Sequence, residues 1–293
     1  MDPELVIDGL NKTYANGVRA LKGVSLRIPT GMFGLLGPNG AGKSTLMRTL
    51  ATLQEADAGS AHLGALDVLK DKVGTRRILG YLPQEFGVYP KVSAETMLDH
   101  VAVLKGLTDT TRRRETVRSL LQQTNLYEVR KQSLGSFSGG MRQRFGIAQA
   151  LLGEPRLLIV DEPTAGLDPA ERLRFHNLLA ELGEDIVVIL STHIVDDVSD
   201  LCSRMAIISE GRVLTTGEPP EAIAALAGRV WKKLIPRDQL AAYEAQHTVI
   251  LNRLSAGQRL IHVLAAERPD ASFEPVQADL EDVYFTTLKS AAA

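Results

Sequence analysis

The sequence predicts an α/β fold built around a parallel sheet, followed by a smaller α+β domain. Two stretches, Leu157–Val160 and Ile186–Leu190, are continuously apolar, and a helix is predicted near Ala170–Leu182 between them. Strands without polar alternation are buried on both faces, which is typical of a parallel sheet covered by helices. A third apolar run, Met32–Leu36, leads through glycine-rich residues into a predicted helix over Ser44–Thr52.

The other elements of the main domain follow in chain order. Leu5–Leu26 mixes Val and Ile with turn residues, which predicts short antiparallel strands. Apolar residues recur at helical spacing over Ser93–Asn125 and again over Met141–Leu152. We therefore expect a helical subdomain at about residues 85–152, inserted into a nucleotide-binding domain of residues 1–227.

The pattern changes after residues 217–220, which read Gly-Glu-Pro-Pro. We place a boundary near Ala227 and predict a small α+β domain over residues 228–293, with an accessory role in dimerisation or regulation. Its only tryptophan, Trp231, could anchor a dimer contact, although core packing is the commoner role. The predicted strands are Val230–Ile235, Thr248–Asn252 and Leu260–Leu264, and the predicted helices are Arg237–Gln246 and Leu280–Lys289.

Composition excludes several classes of function. The chain has 293 residues, a formal net charge of −2 and 23% charged residues, which argues against a nucleic-acid surface. Its single cysteine, Cys202, cannot form an internal disulfide and reads best as a small buried hydrophobe. The acidic N-terminus is unlike a signal peptide, and no apolar run approaches the ~20 residues that cross a bilayer. We expect a chain that is soluble by itself and reaches a membrane only through a partner.

Residues 37–45 read GPNGAGKST and predict a phosphate-binding loop. The pattern G-x-x-x-x-G-K-[ST] is met by Gly37, Gly42, Lys43 and Ser44. Small residues let successive backbone N–H groups turn toward a triphosphate, while the lysine reaches its outer oxygens and the serine hydroxyl faces Mg²⁺. The strand before the loop and the helix after it place the phosphates at a helix N-terminus. The other loop residues expected to touch the ligand are Pro38, Asn39, Gly40, Ala41 and Thr45.

Polar side chains follow other predicted strands where those strands end. Asp161 and Glu162 come directly after Leu157–Val160, and His193 follows Ile186–Leu190. We expect Asp161 to support Mg²⁺, directly or through water, and Glu162 to orient and deprotonate an attacking water. His193 could hydrogen-bond a terminal phosphate. Each residue taken by itself also has a structural explanation. The two acids could simply mark the end of a strand, and the histidine could have a structural role.

Two further features belong to the predicted site. Gln84 follows a short apolar stretch and could reach both Mg²⁺ and the water, although a surface glutamine is the alternative. Ser138, Gly139 and Gly140 begin a helix, with Ser138 as a cap and free amides that suit an anion. One helix N-terminus already serves the nucleotide. A second one therefore requires another nucleotide or another subunit.

These motifs resemble the ATPase subunits of ABC transporters, over roughly residues 4–220. GPNGAGKST resembles the Walker A, LLIVDE the Walker B with Glu162 as catalytic base, and FSGGM the signature. By the same resemblance, Gln84 is the Q-loop glutamine and His193 the switch histidine. Ala165-Gly166-Leu167-Asp168 resembles the D-loop, and Tyr14 resembles the aromatic residue that stacks on adenine.

The implied fold class is a P-loop ABC ATPase: a RecA-like parallel-sheet core, an antiparallel β subdomain and a helical insert, plus the small C-terminal α+β domain. The implied cofactors are ATP and Mg²⁺, with Ser44, Gln84 and Asp161 holding the metal. Two copies meet head to tail in this family, and each signature caps the ATP held by the other copy. The catalytic set is Glu162, His193, Gln84 and Lys43.

The signature departs from the commonest form, LSGGQ, at Phe137 and Met141, so the contacts of residue 141 are open. FSGGMRQRFGIAQALLG and YLPQEFGVYP resemble a bacterial exporter branch, the two-component exporters of daunorubicin-resistance type. In that branch the ATPase pairs with a separate membrane permease, which implies a cytoplasmic chain held peripherally at the inner face of the membrane. Drugs, lipids and polysaccharides are substrates across the branch.

We therefore expect an ATP-hydrolysing subunit that drives export through a permease, works as a homodimer and binds no nucleic acid. An importer subunit, or a soluble ATPase acting on the ribosome or DNA, is the alternative. We expect the permease to dock beside Gln84. For the aromatic candidate contacts, Phe86 and Tyr89, the alternative is that they pack inside the protein. The candidate contacts are Glu85, Phe86, Val88 and Tyr89.

Overall fold

A computed structural model describes residues 4–164, 167–182, 186–255 and 257–292. The chain divides into two compact units, one of residues 1–203 with 208–213 and one of residues 204–207 with 214–293. The boundary near residue 227 remains a prediction. Within the described residues no helix is both long enough and apolar enough to cross a membrane.

The first unit contains an antiparallel sheet, the parallel core and the helical insert, and two strands, β9 and β10, carry residues of both units. Its strands and those two are β1 (Leu5–Thr13), β2 (Arg19–Ile28), β3 (Gly31–Leu36), β4 (Ala58–Leu63), β5 (Leu66–Asp67), β6 (Leu79–Leu82), β7 (Leu157–Asp161), β8 (Val187–Thr192), β9 (Arg204–Ser209) and β10 (Arg212–Gly217). Its helices are α1 (Lys43–Leu50), α2 (Lys72–Ile78), α3 (Ala94–Leu104), α4 (Thr110–Gln123), α5 (Gly139–Ala150), α6 (Pro169–Leu182) and α7 (Val195–Leu201).

The predicted parallel core is present. Strands β3, β8, β7 and β6 pair in parallel within a six-stranded sheet of order β10-β9-β3-β8-β7-β6. Every residue of β7 and β8 is buried, as expected for strands covered on both faces. In register, Leu36 pairs with Thr192 and Asp161 with Ser191, so the carboxyl ends of three strands meet at one edge. Ligands bind at this edge in open α/β sheets.

The antiparallel sheet is larger than the sequence predicts. Strands β1 and β2 form the expected pair, but β4 and β5 extend the sheet to the order β2-β1-β4-β5. The sequence of β4, AGSAHL, has little apolar alternation, and its Gly59 adopts a φ of 99° against the backbone of β1. Its pairing is therefore set by tertiary contact, which a local pattern does not report.

Residues 85–152 contain the helices α3, α4 and α5, and the structure has two helices, α3 and α4, where the sequence predicts one helical stretch over Ser93–Asn125. Gly106 has a φ of 91° and ends the first helix, and the Asp109 carboxylate accepts a hydrogen bond from Arg112 N to start the second. Glycine and an acidic cap are the usual end and start signals of helices.

The second unit is an antiparallel sheet with helices. Its core contains Ile235, Ile261, Val263 and Phe273, and the indole Nε1 of Trp231, a half-buried side chain packed against that core, donates to Ala265 O at 3.2 Å. The sheet order is β12-β13-β11-β14. The strands are β11 (Val230–Ile235), β12 (Thr248–Ser255), β13 (Gln258–Leu264) and β14 (Glu274–Pro275), and the helices are α8 (Pro219–Ala224), α9 (Leu240–Gln246) and α10 (Leu280–Ala292).

Candidate functional site

The loop between β3 and α1 is held in a conformation that favours glycine. Gly40 and Gly42 have φ values of 80° and 104°, in the left-handed region. A Cβ on Gly42 would lie 2.5 Å from Ala20 O, and a Cβ on Gly37 would collide with Ile208 O. The glycines of the predicted phosphate loop therefore permit both its turns and its close approach to neighbouring backbone.

Lys43 is the first residue of α1 and is almost fully buried, at 4% exposure. Its Nζ donates to Gly37 O at 2.6 Å and to Pro38 O at 3.3 Å, so the ammonium connects the end of the loop to its beginning. Burial lowers the pKa of the Lys43 ammonium, and the carboxylates of Glu162 and Asp161 partly oppose that effect. The side chain is thus a cation held at the floor of the loop.

An open pocket of about 710 Å³ lies over this loop. Its lining includes every predicted loop residue except Gly37, together with Tyr14, Gln84 and Glu162, so these residues face one space. Several lining residues were not predicted, because they come from distant segments with no motif of their own. They are Val18, Arg19, Ala20, Lys22, Glu210 and Gly211.

Tyr14 stands at the wall of the pocket and is 37% exposed. Its hydroxyl lies 3.0 Å from Thr45 Oγ1 and donates to Gln54 Oε1 at 3.2 Å. These bonds fix the ring beside the start of α1. An aromatic ring held in this way offers a flat surface to a planar ligand.

Glu162, directly after β7, is the point where the predicted residues converge. Its Oε1 lies 3.7 Å from Lys43 Nζ and 3.3 Å from His193 Nδ1, and its Oε2 accepts from Gln84 Nε2 at 3.1 Å. Its backbone has a φ of 48°, and its N–H donates to Ser191 O at 2.8 Å. A non-glycine residue in the left-handed region is strained by ~1–3 kcal/mol and is common at functional sites. The carboxylate is 9% exposed and reaches the pocket.

Asp161 ends β7 and is 3% exposed. Within the described part of the chain, its Oδ1 has no hydrogen-bond partner. Burial raises the pKa of the Asp161 carboxyl, and the Ser191 and Ser44 hydroxyls act in the opposite direction. A buried carboxylate oxygen without a protein donor is an available ligand for a cation.

A second pocket, of about 510 Å³, opens beside the first. Ser44, Gln84 and Asp161 all line it, so the three predicted metal ligands face the same space. Arg48 and Tyr81 line it as well, and burial raises the pKa of the Tyr81 phenol. A hydroxyl, an amide oxygen and a carboxylate form an all-oxygen donor set, which is the kind that Mg²⁺ prefers.

The predicted signature lies at the start of α5 and does not join this site within one chain. Ser138 caps the helix by accepting from Met141 N at 3.2 Å, and Ser138 and Gly139 are exposed. Among the described residues, those that line the two pockets do not include residues 138–140. Phe137 is buried against Phe145, with ring centroids 6.5 Å apart, so its side chain packs inward.

The predicted D-loop follows Glu162 in the chain. Ala165 and Gly166 of the predicted D-loop lie outside the described residues, whereas Asp168 Oδ1 accepts from Glu171 N at 2.8 Å at the start of α6. Cys202 is buried, as predicted, and burial raises the pKa of its thiol.

The chain is similar to known proteins along most of its length. Residues 21–165 match the family model described as ABC transporter. YbhF of Escherichia coli (strain K12), named a probable multidrug ABC transporter ATP-binding protein, is 35% identical over 240 residues, which are 81% of this chain and 41% of YbhF. This chain thus spans well under half the length of that relative.

A second relative is matched over nearly its whole length. The daunorubicin resistance ATP-binding protein DrrA3 of Streptomyces coeruleorubidus is 32% identical over 280 residues, which are 94% of this chain and 88% of DrrA3. Among solved structures, the ATP-binding cassette MJ0796, a dimer in a post-hydrolysis state bound to ADP and Pi, superposes with a TM-score of 0.66. Its sequence identity is 26%, and the match covers 73% of this chain and 98% of MJ0796.

Proposed function

This chain belongs to the ABC transporter family of ATP-binding proteins and is an ATPase, and from that premise we propose that it powers export of a substrate through a separate membrane permease. The substrate class is a drug, a lipid or a polysaccharide. The observation that carries the proposal is the convergence of Lys43, Gln84 and His193 on the Glu162 carboxylate at the edge of the phosphate loop.

The proposed hydrolysis uses these residues in separate roles. Glu162 takes the proton of the attacking water, because its carboxylate reaches the pocket and no described backbone amide engages it there. Lys43 and the loop amides offset the charge of the phosphates, and His193, whose Nδ1 lies 3.3 Å from Glu162 Oε1, steadies the terminal phosphate. Phosphoryl transfer depends mainly on such positioning and electrostatics.

Ser44, Gln84 and Asp161 would hold Mg²⁺ beside the loop. The buried, unpartnered Oδ1 of Asp161 fits a cation, and the Ser44 hydroxyl opens into the same pocket. Bound Mg²⁺ would neutralise charge on the phosphate oxygens. The phosphates would complete its coordination, because among the described residues no three His, Cys, Asp or Glu side chains form a metal cluster.

Two copies of the chain would complete each ATP site. Ser138 and Gly139 are exposed at a helix N-terminus, where free amides attract an anion, yet they lie outside the pocket of their own chain. A second copy can bring Ser138–Gly140 to the γ-phosphate. The dimeric form of MJ0796 supports this arrangement. ATP then favours closure to the extent that it binds the closed dimer more tightly than the open one.

Export through a permease rests on relatives whose names refer to drug resistance and multidrug transport. The proposed dock lies beside Gln84. Glu85 and Tyr89 are exposed, the latter at 66%, and Val88 is half-buried. Phe86 is half-buried because its ring lies against Gly146, where a Cβ would be 2.7 Å from Phe86 Cζ. Tyr89 is therefore the sharper probe: Tyr89→Asp should abolish pairing with the permease and leave basal hydrolysis intact.

Residues 228–293 are proposed to form an accessory domain that supports dimer contact or regulates the subunit. Truncation after Ala227 and sedimentation of both forms with ATP would test the first role. Weaker association of the truncated chain would support it, and unchanged association would leave only the regulatory role.

Co-purification of the Glu162→Gln variant tests the function as a whole. The variant would be incubated with ATP, Mg²⁺ and detergent-solubilised membranes of its own host, because blocked hydrolysis should hold the closed complex together. A polytopic membrane protein in the pull-down would support transport. Ribosomal proteins or DNA without a membrane partner would overturn it while leaving the ATPase site in place.

A further inference from the structure

A fully buried carboxylate, that of Asp197, lies behind the proposed catalytic residues. Asp197 is on α7 and is 0% exposed. Its Oδ2 accepts from Thr164 Oγ1 at 2.6 Å and from Thr192 Oγ1 at 3.2 Å. On the other side, its Oδ1 accepts from Arg172 Nε at 2.9 Å and lies 2.8 Å from His176 Nε2. Four groups from three other segments therefore converge on one side chain.

Two of these groups are next to the proposed catalytic residues. Thr164 comes two residues after Glu162, and Thr192 comes directly before His193. Thr192 Oγ1 also accepts from Ile194 N at 3.0 Å, so the backbone on both sides of His193 is tied to this hydroxyl. The Asp197 carboxylate thus holds the ends of β7 and β8 in one fixed relation.

The other two groups lie on α6. Arg172 and His176 lie after Glu162 and Thr164 in the chain, so the carboxylate connects the segment that follows β7 to α6. His176 is itself buried, with its Nδ1 3.9 Å from Asp200 Oδ2. A buried charge is tolerated only when it is well paired, and here the pairing is complete.

We infer that Asp197 is a positioning residue for hydrolysis: it holds Glu162 and His193 at their observed separation of 3.3 Å. Glu162 has a strained backbone, with a φ of 48°, and such a conformation persists only when its surroundings determine it. Asp197 touches neither residue. It acts on them through Thr164 and Thr192. This inference rests on the proposed roles of Glu162 and His193.

The inference predicts a specific kinetic defect in Asp197→Asn. The amide keeps the size of the carboxylate, and the threonine hydroxyls can accept from its N–H, so the fold is retained. The charge that aligns all four groups is lost. We expect kcat for ATP hydrolysis to fall at least about tenfold, because small displacements of reacting groups have large effects on rate. The Kd for ATP should stay within about threefold, because the phosphate loop is untouched.

Asp282→Asn provides a matched control. Asp282 is also 0% exposed and its Oδ1 lies 2.7 Å from His262 Nδ1, but this pair belongs to the second unit, and neither residue is among the described residues that line the two pockets. Loss of a buried acid–histidine pair should lower the Tm of both variants. Only Asp197→Asn should lower kcat when both are assayed about 10 °C below their own Tm.

Two results would overturn the inference: a kcat for Asp197→Asn within twofold of wild type, or a loss of kcat matched by an equal loss of ATP affinity. If Asp197→Asn does not fold, Thr164→Val tests the inference instead, because it removes the threonine hydroxyl that contacts Asp197 and keeps the volume of the side chain. That variant should lower kcat at least threefold, and Thr164→Ser should lie closer to wild type. Glu162→Gln separates this test from the proposed function: if Glu162→Gln keeps its turnover, the function fails, whereas unchanged turnover in Asp197→Asn alone overturns only the inference.

Discussion

Gln84 Nε2 donates a hydrogen bond to Glu162 Oε2 across 3.1 Å, although 78 residues separate the two in sequence. Gln84 also lines both pockets, the one over the phosphate loop and the one that contains Ser44 and Asp161. It follows β6, in the segment that leads from the core sheet to the helical insert. A single side chain therefore connects the proposed base, the proposed metal ligands and the segment beside the proposed permease dock.

Gln84→Ala should lower kcat about tenfold and leave the Kd for ATP nearly unchanged. The substitution frees one oxygen of Glu162, whose orientation then rests on Lys43 and His193, and loss of a single hydrogen bond to a charged group is worth ~1.5–3 kcal/mol. Steady-state hydrolysis and equilibrium binding of a fluorescent ATP analogue would separate the two effects. Gln122→Ala, an exposed glutamine on α4, is the control. Equal loss of binding and turnover would contradict the assignment.

Much of the site could be predicted because it follows from where strands end. Asp161, Glu162 and His193 each follow an apolar strand, and parallel strands bring such residues to one edge. The phosphate loop is a local pattern whose glycines serve backbone contacts, so it too is readable from sequence.

What escaped prediction depends on packing between distant segments. Arg19 and Gly211 line the same pocket although they lie almost two hundred positions apart, and no local pattern reports that meeting. Asp197 sits on a short helix whose acidic residues suggest a solvated face, yet it is fully buried because four donors from other segments reach it. The strand β4 likewise owes its place to its partner rather than to its own alternation.

Lys43→Ala should weaken ATP binding about 10–100-fold. The ammonium lies at the floor of the loop, where it donates to Gly37 O and Pro38 O, and charge-assisted hydrogen bonds to phosphate contribute ~1.5–3 kcal/mol. Its removal also takes away a positive charge that acts on the carboxylates of Glu162 and Asp161. Titration calorimetry would measure the loss. Lys70→Ala, whose side chain is 85% exposed and pairs with Asp67, should bind as wild type does; wild-type affinity in Lys43→Ala would exclude the phosphate-loop role.

Tyr14→Phe and Tyr14→Ala should differ in their effect on ATP affinity. Phenylalanine loses only the hydroxyl contacts with Thr45 and Gln54 and keeps the ring, whereas alanine loses the surface on which adenine would stack. An aromatic stack is worth ~0.5–1.5 kcal/mol, so alanine should cost roughly a factor of 2–10 in Kd and phenylalanine much less. Binding of ATP and of inorganic triphosphate would be compared. If Tyr14→Ala weakened both ligands equally, the ring would not act on the base.

Asp161→Asn should raise the Tm of the nucleotide-free protein. It should also remove most of the further rise in Tm that Mg²⁺ and ATP produce in the wild type. Burial raises the pKa of the Asp161 carboxyl in the folded state, so above that pKa its charge destabilises the fold relative to the unfolded chain. Below the unfolded-state pKa, roughly 3.9 for aspartate, the carboxyl is protonated in both states and the effect vanishes. The gain in Tm from the neutral amide should therefore be full above the raised folded-state pKa and shrink as the pH falls from there toward the unfolded-state value.

Calorimetry from pH 8 down to about pH 4, near the unfolded-state pKa of aspartate, with and without Mg²⁺ and ATP, would test both halves of that prediction. A gain of about 1 kcal/mol would appear as a rise of ~2–4 °C in the Tm of a domain this size. Wild type should rise further on adding Mg²⁺ and ATP, because binding to the folded state alone stabilises it and the buried carboxylate then has a cation beside it. Asp200→Asn, an exposed acid with a 63% exposed side chain, should show neither effect. A lower Tm for Asp161→Asn than for wild type at pH 8 without nucleotide would mean that attraction to Lys43 outweighs the cost of burial, and an undiminished response to Mg²⁺ and ATP would remove Asp161 from the metal site.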